Sequence, residues 1–209
     1  RTGASGLSCG IDEDYSITSW VVPHGANYSN RSIMDLGWGK TMDVYVVKIR
    51  RGDKRISMPP ARTVLREGDK VYTIGEKQQL ETFISTIKPE KVEVIKTLKE
   101  FMASPYHDRG NELACAAIRV RGSESYVGKP LRKSGINARV HCMILGIERE
   151  GYVTRVPDPN MLIAAGDILW IIGTKDNLSR IAAHSVGQEG MHSDTDKESR
   201  KAVTEKAGI

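Results

Sequence analysis

The residues of this chain best equipped for chemistry are cationic. Lys48, Arg50, Arg51, Lys54 and Arg55 crowd one short stretch, and Arg149 follows Arg51 at an interval of 98 residues. A guanidinium is a planar fork that grips two oxygens of a phosphate or carboxylate at once. Arg51 and Arg149 are therefore candidate contacts for an anionic ligand. The plainer reading of the same stretch is a solvated hairpin tip, since charged residues gather on exposed turns. Asp69 and Asp167 each stand beside a glycine. One carboxylate per turn falls far short of the roughly six to eight oxygens that calcium takes, whereas side-chain hydrogen bonding inside a turn accounts for both.

Other chemistries lack their parts. The five histidines show neither H-x-x-x-H nor H-E-x-x-H spacing, and His141, on an apolar stretch, reads as a half-buried packing residue. Cys9, Cys115 and Cys142 are odd in number and form no C-x-x-C pair, so neither a disulfide framework nor a zinc site is suggested. Cys142 falls in mid-strand, where burial keeps a thiol inert. No G-x-S-x-G elbow occurs. No catalytic group, metal or cofactor is expected, and the reading is of a binding module, not an enzyme.

Composition narrows the partners. The net charge of +5, from 31 Lys and Arg against 26 Asp and Glu, is scattered and not banded on one face, so nucleic acid is not an expected partner. The apolar runs, such as 168–173, are far short of the roughly 20 residues that span a bilayer, so no direct membrane insertion is expected. Hydrophobic residues make up 39% of 209, enough for packed cores, but aromatics only 6%, so the cores are filled by aliphatic side chains.

The elements that position these residues come in duplicate. Sliding the sequence along itself gives an ungapped frame at an offset of 98. Tyr28 falls on Tyr126, Gly37 on Gly135, Ile49 on Ile147, Arg51 on Arg149, Pro59 on Pro157, Gly68-Asp69 on Gly166-Asp167 and Ile74-Gly75 on Ile172-Gly173. Periodicity and turn residues divide each copy alike. The first reads as strand 17–22, helix near 29–36, strand 42–50, a turn at Gly52-Asp53, strand 55–58, strand 71–75 and helix 77–86. The second reads as strand 112–120, a helix entered at Pro130, strands 139–149, 152–156 and 168–173, and a closing helix through 183. Pro59-Pro60 and Pro157-Asp158-Pro159 break the pairing, because proline donates no ladder hydrogen bond. The fold class is α+β: two copies of a small β-α-β-β-β-α domain. The expected boundaries are a flexible segment 1–14, a first domain 15–88, a linker helix and loop 89–110, a second domain 111–185 and a polar tail 186–209. The linker helix rests on Val92, Ile95, Leu98 and Met102 at helical spacing.

This frame resembles the TrkA-C, or RCK-C, family. The resemblance is carried by Val46-Val47-Lys48-Ile49-Arg50-Arg51-Gly52, Pro59 and Leu65-Arg66-Glu67-Gly68-Asp69-Lys70-Val71-Tyr72-Thr73-Ile74-Gly75, and by their counterparts Ile144-Leu145-Gly146-Ile147-Glu148-Arg149, Pro157 and Ile163-Ala164-Ala165-Gly166-Asp167 through Gly173. Val127-Gly128-Lys129-Pro130-Leu131 is similar to the family's entry to its first helix, and the first copy lacks that glycine. What the resemblance implies is a cytoplasmic regulatory module of a potassium channel, a potassium uptake system or a cation/proton antiporter, or of a carboxylate or amino-acid exchanger. Members form homodimers, and some bind a small anionic ligand, cyclic di-AMP among them, at the dimer interface. The chain would then lie at the cytoplasmic face of the membrane, attached to a transporter domain of the same polypeptide. Its expected ligand-facing surface is Val46, Val47, Ile144 and Leu145 with Arg51 and Arg149. A purely structural oligomerising role is the other reading, and pairing within or between chains stays open. A dinucleotide-binding companion would need a strand followed by G-x-G-x-x-G, which is absent here.

Overall fold

The computed structural model describes residues 11–103, 113–136 and 141–187. The first copy runs from α1 (Ile11–Asp14) and β1 (Tyr15–Val21) through α2 (Ile33–Leu36) and α3 (Trp38–Thr41) to β2 (Tyr45–Arg51), β3 (Lys54–Ser57), β4 (Lys70–Glu76) and α4 (Lys77–Ile87). A connection with β5 (Lys96–Thr97) and α5 (Leu98–Met102) leads to the second copy. That copy comprises β6 (Leu113–Arg119), a 3-10 turn (Leu131–Lys133), β7 (Met143–Arg149), β8 (Tyr152–Arg155), β9 (Ile168–Thr174) and α6 (Lys175–Gly187). The expected α+β order is present twice.

Both sheets are antiparallel, β3-β2-β4-β1-β5 and β6-β9-β7-β8, so each copy threads its strands in the same spatial order. The local chemistry repeats too. Gly68 and Gly166 adopt φ of 80° and 91°, the left-handed region that an L side chain resists. Gly173 is required by close approach: a Cβ there would stand 2.4 Å from the Cys142 sulfur. α2 starts on Ser32, whose hydroxyl accepts the Asp35 N–H, and α4 starts on a Glu76/Gln79 capping box.

Three apolar cores result. In the first copy Trp20, Tyr28, Trp38 and Phe83 pack mostly edge to face under Leu65, Val71 and Leu80. In the second, Ile118, Tyr126, Ile136 and Ile181 hold the positions of those four aromatics, around Ile147, Ile163 and Leu169. The third core lies between the two sheets. It draws the same positions from each copy: Tyr15 with Leu113, Ile17 with Cys115, Tyr45 with Met143, Val47 with Leu145, Tyr72 with Trp170 and Ile74 with Ile172. One surface used by both partners is the mark of a two-fold interface, here closed inside a single chain. The pairing left open by the sequence is thus intrachain.

Several expectations need correction. Residues 89–95 are not helical: the Glu90 and Val21 backbones bond each other at 2.7 and 3.0 Å, and Glu93 N–H donates to the Ser19 carbonyl, so this segment runs along the outer edge of β1. Only Leu98–Met102 forms a helix, started by a Thr97/Glu100 capping box. The segment 1–14 is ordered at its end, where Ile11 is buried in the seam and Asp14 pairs with Arg155 of the second copy at 2.6 Å. His141 lies before β7, not in a strand, exposed and at φ 50°. Residues 1–10, 104–112, 137–140 and 188–209 fall outside the described residues, and with them the expected linker loop, the start of the strand expected at 139–149 and most of the expected polar tail.

Candidate functional site

The two arginines singled out by type and spacing do the same thing in both copies. Arg51 ends β2 and lays its fork on Asp69, with Nε to Oδ1 and Nη2 to Oδ2 both at 2.7 Å, while Nη2 also donates to the Val64 carbonyl at 2.9 Å. Arg149 repeats this on Asp167 and the Leu162 carbonyl, each at 2.8 Å. Each aspartate in turn accepts a backbone N–H three residues before it, from Arg66 or Ala164, at 2.8 Å. The Asp69 and Asp167 side chains are 0% and 1% exposed, the arginines 28% and 45%. The forks expected to meet a ligand phosphate are turned onto buried carboxylates, where they tie the end of the second strand to the turn before the last.

This clamp has a pH signature. Burial pushes the Asp167 carboxyl up, but hydrogen bonds from Arg149 and the Ala164 N–H outweigh it and hold the group below its ordinary value. A carboxyl depressed by folding contributes stability that is complete above its unfolded pKa, about 4, and is lost as pH falls through the lower folded value. Thermal unfolding followed from pH 5 downward is expected to show this loss, and Asp167→Asn to begin less stable and lose less on acidification. A variant as acid-sensitive as the wild type would exclude Asp167 as a contributor.

The other four candidate residues divide between faces. Val47 and Leu145, 0% and 1% exposed, lie in the seam; Val46 and Ile144 turn to the cores beneath their own helices, and Ile144 also reaches a cleft between the copies. Val47 and Leu145 are each the extra residue of a β-bulge, where the pairing with β4 or β9 shifts register. Their carbonyls accept the N–H of Met58 and Val156 at 2.8 and 3.2 Å. Both donors, Met58 and Val156, sit at positive φ, 48° and 44°. For a β-branched valine that conformation costs on the order of 1–3 kcal/mol and marks a place worth testing for function.

The cleft at Val156 encloses about 220 Å³. The first copy contributes Tyr15 and Tyr45; the second contributes Leu131, Arg132, Met143, Ile144, Val156, Pro157 and Pro159. The Tyr15 hydroxyl donates to the Leu145 carbonyl across the seam at 2.9 Å, and burial pushes its pKa up to about 12, so it remains a donor. Burial, and Asp43 nearby, likewise raise Tyr45. The counterpart positions on the other side of the seam hold Leu113, Met143, Ile33, Met34, Tyr45, Val46, Met58, Pro59 and Ala61. Arg132 thus has Met34 as its equivalent, and Tyr15 has Leu113, so these two polar groups are found on one side only, while Tyr45 belongs to both sets. Sequence spacing had picked out Ile144 and the Pro157 break but not Tyr15, Tyr45 or Arg132. Their signal is the mismatch between copies, which a search for matches passes over.

Among the described residues no group of three or more His, Cys, Asp or Glu could hold a metal ion, and no helix is long and apolar enough to cross a membrane. Cys142 is buried, which pushes its thiol up to about 11 and keeps it neutral at physiological pH.

Two antiparallel α+β modules of one design, clasped sheet to sheet, define a tandem-domain architecture. The TrkA-C domain model matches twice, over residues 17–88 and 115–184, and the chain belongs to that family. Among similar proteins, an "Uncharacterized transporter" of Bacteroides thetaiotaomicron is 24% identical over 171 residues, covering 82% of this chain and 29% of the relative. "Potassium channel protein 1" of Methanocaldococcus jannaschii is 31% identical over 70 residues, covering 34% of this chain and 21% of the relative. The chain therefore spans less than a third of the length of these relatives. Among solved structures, the "RCK_C domain dimer of S.agalactiae BusR in complex with c-di-AMP" is 27% identical, with a TM-score of 0.32, covering 34% of this chain and 88% of that one.

Proposed function

We propose that the chain is the cytoplasmic, ligand-sensing module of a membrane transport protein, a potassium transporter or a cation/proton antiporter. It is attached to the membrane domain of the same polypeptide, and cyclic di-AMP is the ligand to test first. Family membership and the names of the relatives support the transporter setting. The observation that carries the ligand reading is the one-sided cleft, where Tyr15 and Tyr45 of one copy face Arg132, Ile144 and Pro157 of the other. A ligand there touches both modules, so it favours one arrangement of the seam over others and shifts the population by its differential affinity. Ile144 is its direct contact, with Val47 and Leu145 behind it forming the seam, Val46 supporting the strand, and Arg51 and Arg149 fixing the turns. Homodimers of the whole chain would use surfaces other than this seam.

Calorimetric titration of the chain with cyclic di-AMP is expected to give saturable binding at one site per chain. Arg132→Ala and Tyr45→Ala should each weaken it at least about tenfold, or about 1.4 kcal/mol. Met34→Ala, at the position equivalent to Arg132, should leave it unchanged. No heat at high protein concentration would remove this ligand. If no nucleotide or cation shifts thermal unfolding either, the second reading gains: a structural module holding transporter subunits together, carboxylate or amino-acid exchangers included. The continuous apolar seam favours that alternative.

A further inference from the structure

The short helix α1 crosses from the first copy onto the second. Its Ile11 side chain, 2% exposed, lies over Gly146 of β7, where a Cβ would stand 2.6 Å from Ile11 Cδ1. Gly146 is not at positive φ, so close neighbours and not the backbone call for glycine there. Asp14 pairs with Arg155 at 2.6 Å, and Glu13 with Lys99 of α5 at 2.7 Å. The next residue, Tyr15, lines the cleft and donates to the Leu145 carbonyl at 2.9 Å. That carbonyl also accepts the N–H of Val156 at 3.2 Å. One acceptor at the β7 bulge thus joins the end of α1 to a cleft residue held at positive φ.

This seat is built once. At the positions of Gly146, Arg155 and Tyr15 the other side of the seam carries Lys48, Ser57 and Leu113, with no notch, no guanidinium and no hydroxyl. The same strands and bulge form there, so the fold does not demand the seat. Its hold is also light. The two ion pairs join side chains 34–55% exposed, and pairs in water contribute little. Burial of Ile11 is the main anchor. The cores beneath the two sets of helices contain none of these residues, so α1 can leave its seat while both copies stay folded.

We infer that α1 is a strap with a seated and a released position, and that seating it on Gly146 and Arg155 closes the Tyr15 wall of the cleft. A ligand in the cleft and the seated strap then stabilise each other, and the coupling is the same in both directions. The ligand side of this inference rests on the cleft reading above; the coupling between strap and cleft wall does not. The full chain without ligand therefore provides the first test, by amide hydrogen exchange of the Val156 N–H. The reference is the Ile163 N–H, which bonds the Lys129 carbonyl at 3.0 Å inside the second copy. Two variants unseat the strap from opposite sides: Ile11→Ala removes the anchor, and Gly146→Lys installs the residue with which the first copy already folds.

Each variant is expected to speed exchange at Val156 at least about tenfold and at Ile163 less than about twofold, the pattern of a local opening. The inference is overturned if Val156 is unchanged in both variants. It is equally overturned if Ile163 accelerates as much as Val156, which would make α1 an ordinary part of the second copy's stability. Calorimetry with cyclic di-AMP gives the second test. Gly146 does not line the cleft, yet Gly146→Lys should weaken binding at least about fivefold, on the basis of reciprocal coupling. Equal affinity in variant and wild type would contradict the coupling. A wild type that binds no cyclic di-AMP removes that ligand, and the exchange result then decides on the strap alone.

Discussion

Leu145→Asp is expected to part the two sheets. Leu145 is 1% exposed, sits at a bulge in the apolar seam, and has Val47 as its equivalent across the interface. Truncating such a side chain costs about 2–5 kcal/mol through lost burial and the cavity left behind, and an unpaired carboxylate adds its desolvation penalty. The cores beneath the two sets of helices share no residue with the seam. Urea unfolding of the variant should therefore break from one transition into two, the first copy with its aromatic cluster outlasting the second. Val47→Asp should behave alike from the other side, while Leu145→Met, which conserves volume, should cost less than about 1.5 kcal/mol. A wild-type midpoint for Leu145→Asp would mean that the seam does not hold the copies together.

The second large effect concerns the clamp. Arg51→Ala leaves the fully buried Asp69 carboxylate without its counter-ion, at a cost of about 3 kcal/mol or more. Asp69→Asn should be milder, by about 1 kcal/mol, because the stranded guanidinium is 28% exposed and can rehydrate, and an amide oxygen still accepts the Arg66 N–H. Arg149→Ala and Asp167→Asn should follow the same order in the second copy. The ordering separates a structural arginine from a ligand-binding one. Were Arg51 a phosphate contact, its loss would weaken anion binding with little effect on the denaturation midpoint.

The duplication was legible because its markers are backbone constraints. A left-handed turn at Gly68 and Gly166, the proline breaks at Pro59 and Pro157, and the Gly-Asp turn admit few residue types, so they persist at matching positions when core residues such as Trp20 and Ile118 diverge. Strand positions followed from alternation and turn residues for the same reason. The linker was misread because Val92, Ile95, Leu98 and Met102 fit a helical period, while the deciding partner was remote. The exposed edge of β1 supplied hydrogen bonds to Glu90 and Glu93 that spacing along the chain does not reveal. Arg51 and Arg149 stand out by position, but their aspartate partners do not, since a guanidinium fork fits a carboxylate as well as a phosphate. Only the structure places Asp69 18 residues away within 2.7 Å. The cleft was hidden for a related reason: Tyr15 and Arg132 come from different copies and meet only when the sheets stack.

Pairing of the two copies within one chain is the claim on which the cleft, the seam variants and the functional proposal all depend. Asp14 and Arg155 touch across that seam at 2.6 Å. With cysteines at those two positions, an equal mixture of isotopically light and heavy chains can be joined by a short bis-maleimide and read by mass spectrometry. Pairing within the chain predicts that linked 14–155 peptides are all light with light or heavy with heavy. Mixed light-heavy peptides making up about half of the linked species, as random exchange between partners would give on mass-action grounds, would contradict it.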